Sequence, residues 1–366
     1  MPLPTARDPG EMRTRLRAWL ERVLPAGAAP EVSEVSAPSG TGLSSETLLF
    51  DAHWREGGAT RGGSFVARMS PDMTRYPVFP TYDLALQYRC LELVRSKSDV
   101  PVPRTRWLEL DPEPLGSPFF VMERVSGRVP PDMPPYVFGS WVTEASPAER
   151  AELERSSVGV LAKLHAIDVS GPDAAFLDRP THGKTPLDQH LAYQREYYDW
   201  AREGVRYPTL ERIFDWLEAR RPADEGPVCL NWGDSRIGNM LFDGFAPVAV
   251  LDWEMAALGA PEVDLAWMLY MHEFFRGLAE AAGFGNKVPD FMTRERVAKT
   301  YEQLSGRRVR HLDYYEVFAA LRYAIVSIRT TGRGIALGQM APPENFEDRL
   351  MIRSHLELML SGDYWR

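Results

Sequence analysis

Near residue 126 the chain changes character, and that break constrains its fold more than any other feature. Before it, short apolar runs alternate with turn formers: 31–37, 46–54 (ETLLFDAHW) and 63–69 (GSFVARM), separated by PSGTGLSS at 38–45 and REGGATRG at 55–62. Runs of this length, bounded by Gly and Ser clusters, predict strands joined as antiparallel hairpins. A helix is predicted over 83–97, where Leu84, Leu86, Tyr88, Leu91 and Val94 are apolar, and strands over 105–110 and 118–125. A further helix over 9–25 puts Met12, Leu16, Trp19, Leu20, Val23 and Leu24 on one face. Its polar face mixes both charge signs, which predicts packing on its own domain rather than on a membrane. Past Pro130, Pro131, Pro134 and Pro135 the patterns turn helical: 148–167, 185–202, 208–220, 262–282, 293–304 and 313–330, with short apolar runs at 228–230 and 248–251. The expected class is α+β in two lobes. Residues 1–126 form a small antiparallel-sheet lobe and 127–366 a large, mostly helical one, a division that the chain's 366 residues can support.

Composition removes several function classes. Only two cysteines occur, Cys90 and Cys229, so no disulfide framework or Cys-based zinc site is expected, and a reducing cytoplasm is the natural setting. Neither a secretory start nor an apolar stretch of the roughly 18 residues that a membrane span needs is visible. The net charge of −9 argues against a dedicated nucleic-acid binder. The acidic excess falls mostly after residue 125, which suits either a cationic ligand or a solubilising surface.

The chemistry concentrates in residues 228–267, VCLNWGDSRIGNMLFDGFAPVAVLDWEMAALGAPEVDLAW. The pattern reads as a buried strand, a polar loop, a hairpin, an acidic turn at 252–254 and a helix opening near 261–264. Asp234 and Asn239 lie five apart on a Gly-flanked turn, and Asp252 follows the hairpin. One carboxylate can take a proton from an alcohol. Another, with an amide oxygen, can hold a hard cation such as Mg2+ together with a polyphosphate. Phosphoryl transfer needs those parts.

These residues resemble the aminoglycoside phosphotransferase and choline-kinase-like branch of the protein-kinase-like fold. The family's catalytic loop reads roughly HGDxxxxN, and this chain has WGDSRIGN at 232–239; LDWE at 251–254 is similar to its metal loop, and GAPEVDLAW at 259–267 to its G-x-P-x-x-D-L-A segment. The likeness covers about residues 30–330 and is nearest to a broad phosphotransferase family fused to acyl-CoA dehydrogenases in some proteins. It implies a bilobal kinase-like enzyme that uses ATP and Mg2+ to phosphorylate a small-molecule hydroxyl. The acceptor would be an aminoglycoside or another hydroxylated metabolite such as a hydroxyacyl-CoA. Asp234 would be the catalytic base, Asn239 and Asp252 metal ligands with Glu254 as a further one, and Asp264 the buried carboxylate that braces the loop. Ser39, Gly40, Thr41, Gly42, Ser44 and Ser45 would cover the phosphates, their N–H groups and hydroxyls facing oxygen. Arg68 stands where the family has a phosphate-pairing Lys, and the Met122–Val125 hinge, with Glu123 and Val125, would meet adenine. Arg236 would reach a phosphate or pair with Asp264. His165 reads as a satisfied core histidine; Tyr193, Tyr197, Tyr198 and Trp200 read as core packing or a substrate wall.

Three positions depart from the family pattern. Trp232 replaces the loop His, Gln87 replaces the helix Glu that pairs with the strand-three cation, and Trp253–Glu254 replace the last two residues of D-x-G. The first two support a competing reading, a nucleotide-binding module without turnover.

Overall fold

A computed structural model describes residues 7–37, 46–74 and 76–365; the 39–45 loop lies outside the described residues. The first part comprises α1 (Pro9–Val23), β1 (Glu31–Val32), β2 (Glu46–Glu56), β3 (Ala59–Met69), α2 (Leu84–Lys97), β4 (Thr105–Glu109) and β5 (Phe119–Glu123). The strands make one antiparallel sheet in the order β1-β2-β3-β5-β4. The 55–62 segment is not the loop that its composition suggests. Strand pairing continues to Glu56 opposite Ala59, and Gly57 and Gly58 alone turn the chain, with φ of 59° and 79°. Two consecutive left-handed residues match the twist of a tight hairpin, and glycine takes them without strain.

The helical part follows: α3 (Trp141–Glu144), α4 (Pro147–Leu164), α5 (Pro186–Ala201), α6 (Pro208–Ala219), β6 (Cys229–Asn231), β7 (Met240–Asp243), β8 (Ala246–Val250), β9 (Ala257–Gly259), α7 (Glu262–Ala281), α8 (Arg294–Ser305), α9 (Leu312–Ala336) and α10 (Arg353–Ser361). Local chemistry sets several starts. Pro opens α4, α5 and α6, where no N–H is needed, and capping boxes at Ser146/Glu149 and Thr185/Asp188 satisfy first-turn donors. Three elements were not anticipated, α3, β9 and α10. Each is short, and β9 (ALG) has too few residues to show a period.

The two hydrophobic cores divide at the sheet. One face of it, with Phe50, Trp54, Phe65, Phe119 and Val121, packs on Leu16, Trp19 and Leu20 of α1. The other face, with Val66, Phe120 and Met122, joins α2 to the core that runs on through the helices. Arg68 shares this second face by strand alternation, so β3 presents it toward the helical part. Near Gly127 the chain crosses over, Arg128 N–H donating to Phe242 O on β7 at 2.8 Å. Among the described residues no helix is long and apolar enough to cross a membrane.

Trp19 anchors α1. It is buried, meets Phe119 edge-on at 4.8 Å, and donates its indole N–H to Glu109 Oε2 at 3.1 Å. Trp19→Ala is expected to cost about 3–5 kcal/mol through cavity formation. Denaturant titration should show the lower midpoint, and an unchanged midpoint would mean that α1 does not contribute to the fold.

Candidate active site

Two small antiparallel pairs bring the functional loops together. β6 pairs with β9, and β7 pairs with β8. The polar loop from β6 to β7 and the acidic turn from β8 to β9 therefore meet at one end. Their approach requires Gly233. Its φ is +90°, and a Cβ there would lie 2.1 Å from Met255 O.

Asp264, in the first turn of α7, fastens the polar loop. Its Oδ2 accepts from Trp232 N–H at 2.8 Å and its Oδ1 from Gly233 N–H at 2.8 Å. His165 Nε2 lies 3.1 Å from the same Oδ2, and His165 Nδ1 lies 2.9 Å from the Tyr301 hydroxyl. His165 is thus a fully bonded core residue. Ser235 adds a bond from its hydroxyl to Asp264 O at 2.8 Å. Trp232, at the position of the family's His, donates its indole N–H to Leu251 O at 2.8 Å and Asp252 O at 3.2 Å. The larger ring thereby ties the polar loop to the acidic turn.

Asp234 is buried and surrounded by donors. Trp267 Nε1 gives to its Oδ1 at 2.7 Å, Asn239 Nδ2 to its Oδ2 at 2.7 Å, and Arg236 Nε reaches the two oxygens at 3.1 and 3.3 Å. Arg236 corrects its expected partner. It pairs with Asp234 and with Asp132 of the segment that follows β5, not with Asp264. Burial works against its charge, but Asp234 and Asp132 outweigh burial and push its pKa up. From α9, Arg322 donates to Gly233 O at 2.8 Å, and its guanidinium carbon lies 4.4 Å from the Trp267 ring centre. Burial lowers the Arg322 pKa to about 10, so it stays charged at neutral pH.

Asp252 takes a left-handed backbone with φ of 64°, a strained state for a non-glycine residue that aims its carboxylate into the cleft. Burial raises its pKa and Arg68 opposes the rise. Arg68 Nη2 bonds Asp252 Oδ1 and lies 3.6 Å from Glu254 Oε2. Gln87 does not bond Arg68: it is buried, its Nε2 has no hydrogen-bond partner among the described residues, and the metal-loop carboxylates take the guanidinium instead. Asp252, Glu254 and Asn239 fit a hard divalent ion. Two carboxylates already hold a cationic group, and Asn239 spends its Nδ2 on Asp234, which leaves its amide oxygen to face a metal. Among the described residues no group of three His, Cys, Asp or Glu gathers as a metal cluster, so such an ion would depend on Asn239 or on phosphate oxygens to complete its shell.

The remaining expectations separate. The Ser39–Ser45 residues lie outside the described residues. Glu123, at the end of β5, turns its carboxylate to Arg106 and spends its N–H on Arg104 O at 2.8 Å, while Val125 follows in the half-buried connection. Tyr197 donates to Val78 O at 2.8 Å and Tyr198 accepts from Tyr207 N–H at 3.0 Å, so both pack structurally. Trp267, Arg322 and Asp132 were missed. Arg322 carried a signal, being a charged residue at a buried helical position in α9; Trp267 was hidden as an apolar helix position.

A model of the phosphotransferase enzyme family matches residues 50–298. Acyl-CoA dehydrogenase family member 11 of Rattus norvegicus is 31% identical over 169 residues, 45% of this chain and 20% of that protein. Acyl-CoA dehydrogenase family member 10 of Mus musculus is 28% identical over 204 residues, 55% of this chain and 18% of that protein. The chain thus spans about a fifth of the length of these curated relatives. A Ralstonia eutropha structure with a provisional aminoglycoside phosphotransferase name superposes with a TM-score of 0.64 at 24% identity, covering 96% of this chain and 98% of that one. The aminoglycoside phosphotransferase APH(4)-Ia, in a complex with AMP-PNP and hygromycin B, gives 0.57 at 17% identity over 95% and 98%. Macrolide 2'-phosphotransferase MphH from Brachybacterium faecium gives 0.51 at 21% over 90% and 99%. These structures share the protein-kinase-like fold.

Asp264→Ala would strip two buried backbone N–H groups of their acceptor. The expected cost is roughly 2–6 kcal/mol, from the desolvation penalty of each orphaned donor. Thermal unfolding measures it; a variant as stable as the parent would show that the loop is held by other contacts.

Proposed function

The chain belongs to the phosphotransferase enzyme family and is a phosphotransferase acting on an alcohol group; we propose that it transfers the γ-phosphoryl of ATP, with Mg2+, to a hydroxyl of a small molecule, Asp234 serving as the base. One observation carries this reading: a buried, donor-held carboxylate stands beside two carboxylates and an amide oxygen suited to a divalent ion.

The residues divide the work as follows. Asp234 accepts the hydroxyl proton while the oxygen attacks phosphorus. Asp252, Glu254 and Asn239 would hold Mg2+, which when bound supplies neutralisation of the phosphate charge. Arg68, at the family's phosphate-binding position, exchanges its carboxylate partners for phosphate oxygens when nucleotide arrives. A planar guanidinium can grip two oxygens at once.

For the acceptor, a hydroxylated acyl compound is favoured over an aminoglycoside. The acyl-CoA dehydrogenase names of the curated relatives agree with a hydroxyacyl-type acceptor.

An alcohol panel that includes aminoglycosides and hydroxyacyl-CoA compounds tests this, read by mass spectrometry for a gain of one phosphoryl group. Gain on acyl compounds is expected; gain on aminoglycosides alone would overturn the acceptor reading. Nucleotide binding without any product would favour the non-catalytic module. Asp234→Asn should lower kcat roughly 10²-fold or more with little change in ATP affinity, the usual size of a base contribution. Near-normal turnover would remove Asp234 from that role. Asp252→Ala should abolish the tightening of ATP binding by Mg2+ in calorimetry, since the ion bridges protein and phosphates; an undiminished metal effect would place the ligand elsewhere.

A further inference from the structure

We propose that a cavity between the α8–α9 connection and the start of β6 is a binding site for an organic phosphate, separate from the catalytic cleft.

Residues 307–311 read RRVRH and join α8 to α9. Their backbone is tied down at three points. Arg307 N–H donates to Ser305 Oγ at 3.1 Å, Val309 N–H to Glu302 Oε1 at 2.9 Å, and Arg310 N–H to Glu262 Oε1 at 2.8 Å. An ordered turn therefore carries the guanidinium groups. They border a cavity of about 450 Å³, in which Pro227 and Pro261 give apolar surface and Tyr315 comes from α9. That volume is of the size that small-molecule sites have.

The donors here exceed the acceptors left to meet them. Arg307 Nη1 is buried and has no hydrogen-bond partner among the described residues. Neither Arg307 nor Arg308 forms an ion pair among the described residues. Tyr315 is 2% exposed, and its hydroxyl makes no hydrogen bond among the described residues, although a buried tyrosine ordinarily finds a partner for its O–H. Burial raises its pKa, so the phenol stays protonated and able to donate.

The carboxylates around the cavity are already spent. Asp224 accepts from Arg310 Nη1 at 2.8 Å and from Gly226 N–H at 3.0 Å. Glu225 accepts from the Thr185 hydroxyl at 2.8 Å and from Leu187 N–H at 3.3 Å, at the start of α5. Glu262 holds the Arg310 N–H. Two guanidinium groups and a phenol remain, and all three call for acceptor oxygens. A phosphate monoester brings three such oxygens and close to two negative charges, and the planar fork of an arginine matches them. The cavity lies at the start of β6, whereas the loop with Asp234 follows its end, so this ligand is neither the acceptor nor the nucleotide.

Calorimetry with phenyl phosphate as the probe tests the site, on the full chain saturated with AMP-PNP and Mg2+ so that the nucleotide site is filled. Phenyl phosphate is expected to bind, and benzyl alcohol, of similar size and uncharged, is not. Arg307→Gln and Arg308→Gln should each weaken binding about tenfold, the usual size of a lost charge-assisted bond. Tyr315→Phe, which keeps the ring, should weaken it several-fold. Arg308 is exposed, so its substitution reads the site even if Arg307→Gln fails to fold. No binding of phenyl phosphate by the parent, or binding unchanged in both Arg308→Gln and Tyr315→Phe, would overturn the proposal. Failure of AMP-PNP to bind would count against the proposed function instead, and the same substitutions would still decide the cavity.

Discussion

Asp264 joins the two halves of the site. Its two oxygens accept the backbone N–H groups of Trp232 and Gly233 and face His165, so a single buried carboxylate fixes a loop, the start of α7 and the end of α4. From that joint the remaining geometry follows. Gly233 can then pass close to Met255, Trp232 can bond the carbonyls of Leu251 and Asp252, and Trp267 on the same helix reaches Asp234. Two loops from different strand pairs come into register because one helix holds one of them, and that loop holds the other.

Charge balance is the second constraint. Asp234 and Asp264 lie buried and Asp252 half-buried in one region, an arrangement that like-charge repulsion and desolvation would oppose. The structure answers with arginines drawn from three different elements. Arg68 on β3 faces Asp252, Arg236 within the loop faces Asp234, and Arg322 on α9 lies beside the Gly233 carbonyl and Trp267. Because α2 offers the neutral Gln87 rather than a carboxylate, Arg68 is left to the metal-loop acids. On the proposed function, nucleotide with its metal would exchange with a guanidinium already in place, which would couple phosphate binding to the release of Asp252.

Much of this was legible in the sequence, for reasons specific to each element. Long periodic segments such as α4, α7 and α9 announce themselves because a buried stripe must recur every three to four residues. The motif at 232–239 and Asp264 were readable through their resemblance to the family's catalytic loop and G-x-P-x-x-D-L-A segment. Partners were not readable. Arg236 bonds Asp132, some hundred residues earlier, and nothing local distinguishes that from a bond to Asp264. Gln87 stands where the family has a helix Glu, but Arg68 pairs elsewhere for a similar reason, since its acceptors arrive from the turn between β8 and β9 only once the chain is folded. Trp267 looks apolar in sequence, and its role depends on a single N–H whose direction is set by tertiary packing.

The proposed reaction is a direct transfer, in which Asp234 would take a proton and never carry the phosphoryl group. The stereochemistry at phosphorus tests it. With ATP made chiral at the γ-phosphorus by oxygen isotopes and sulfur, a single in-line displacement predicts an inverted phosphoester product. Retention of configuration would mean two successive displacements through a covalent enzyme intermediate, and would contradict the role given to Asp234.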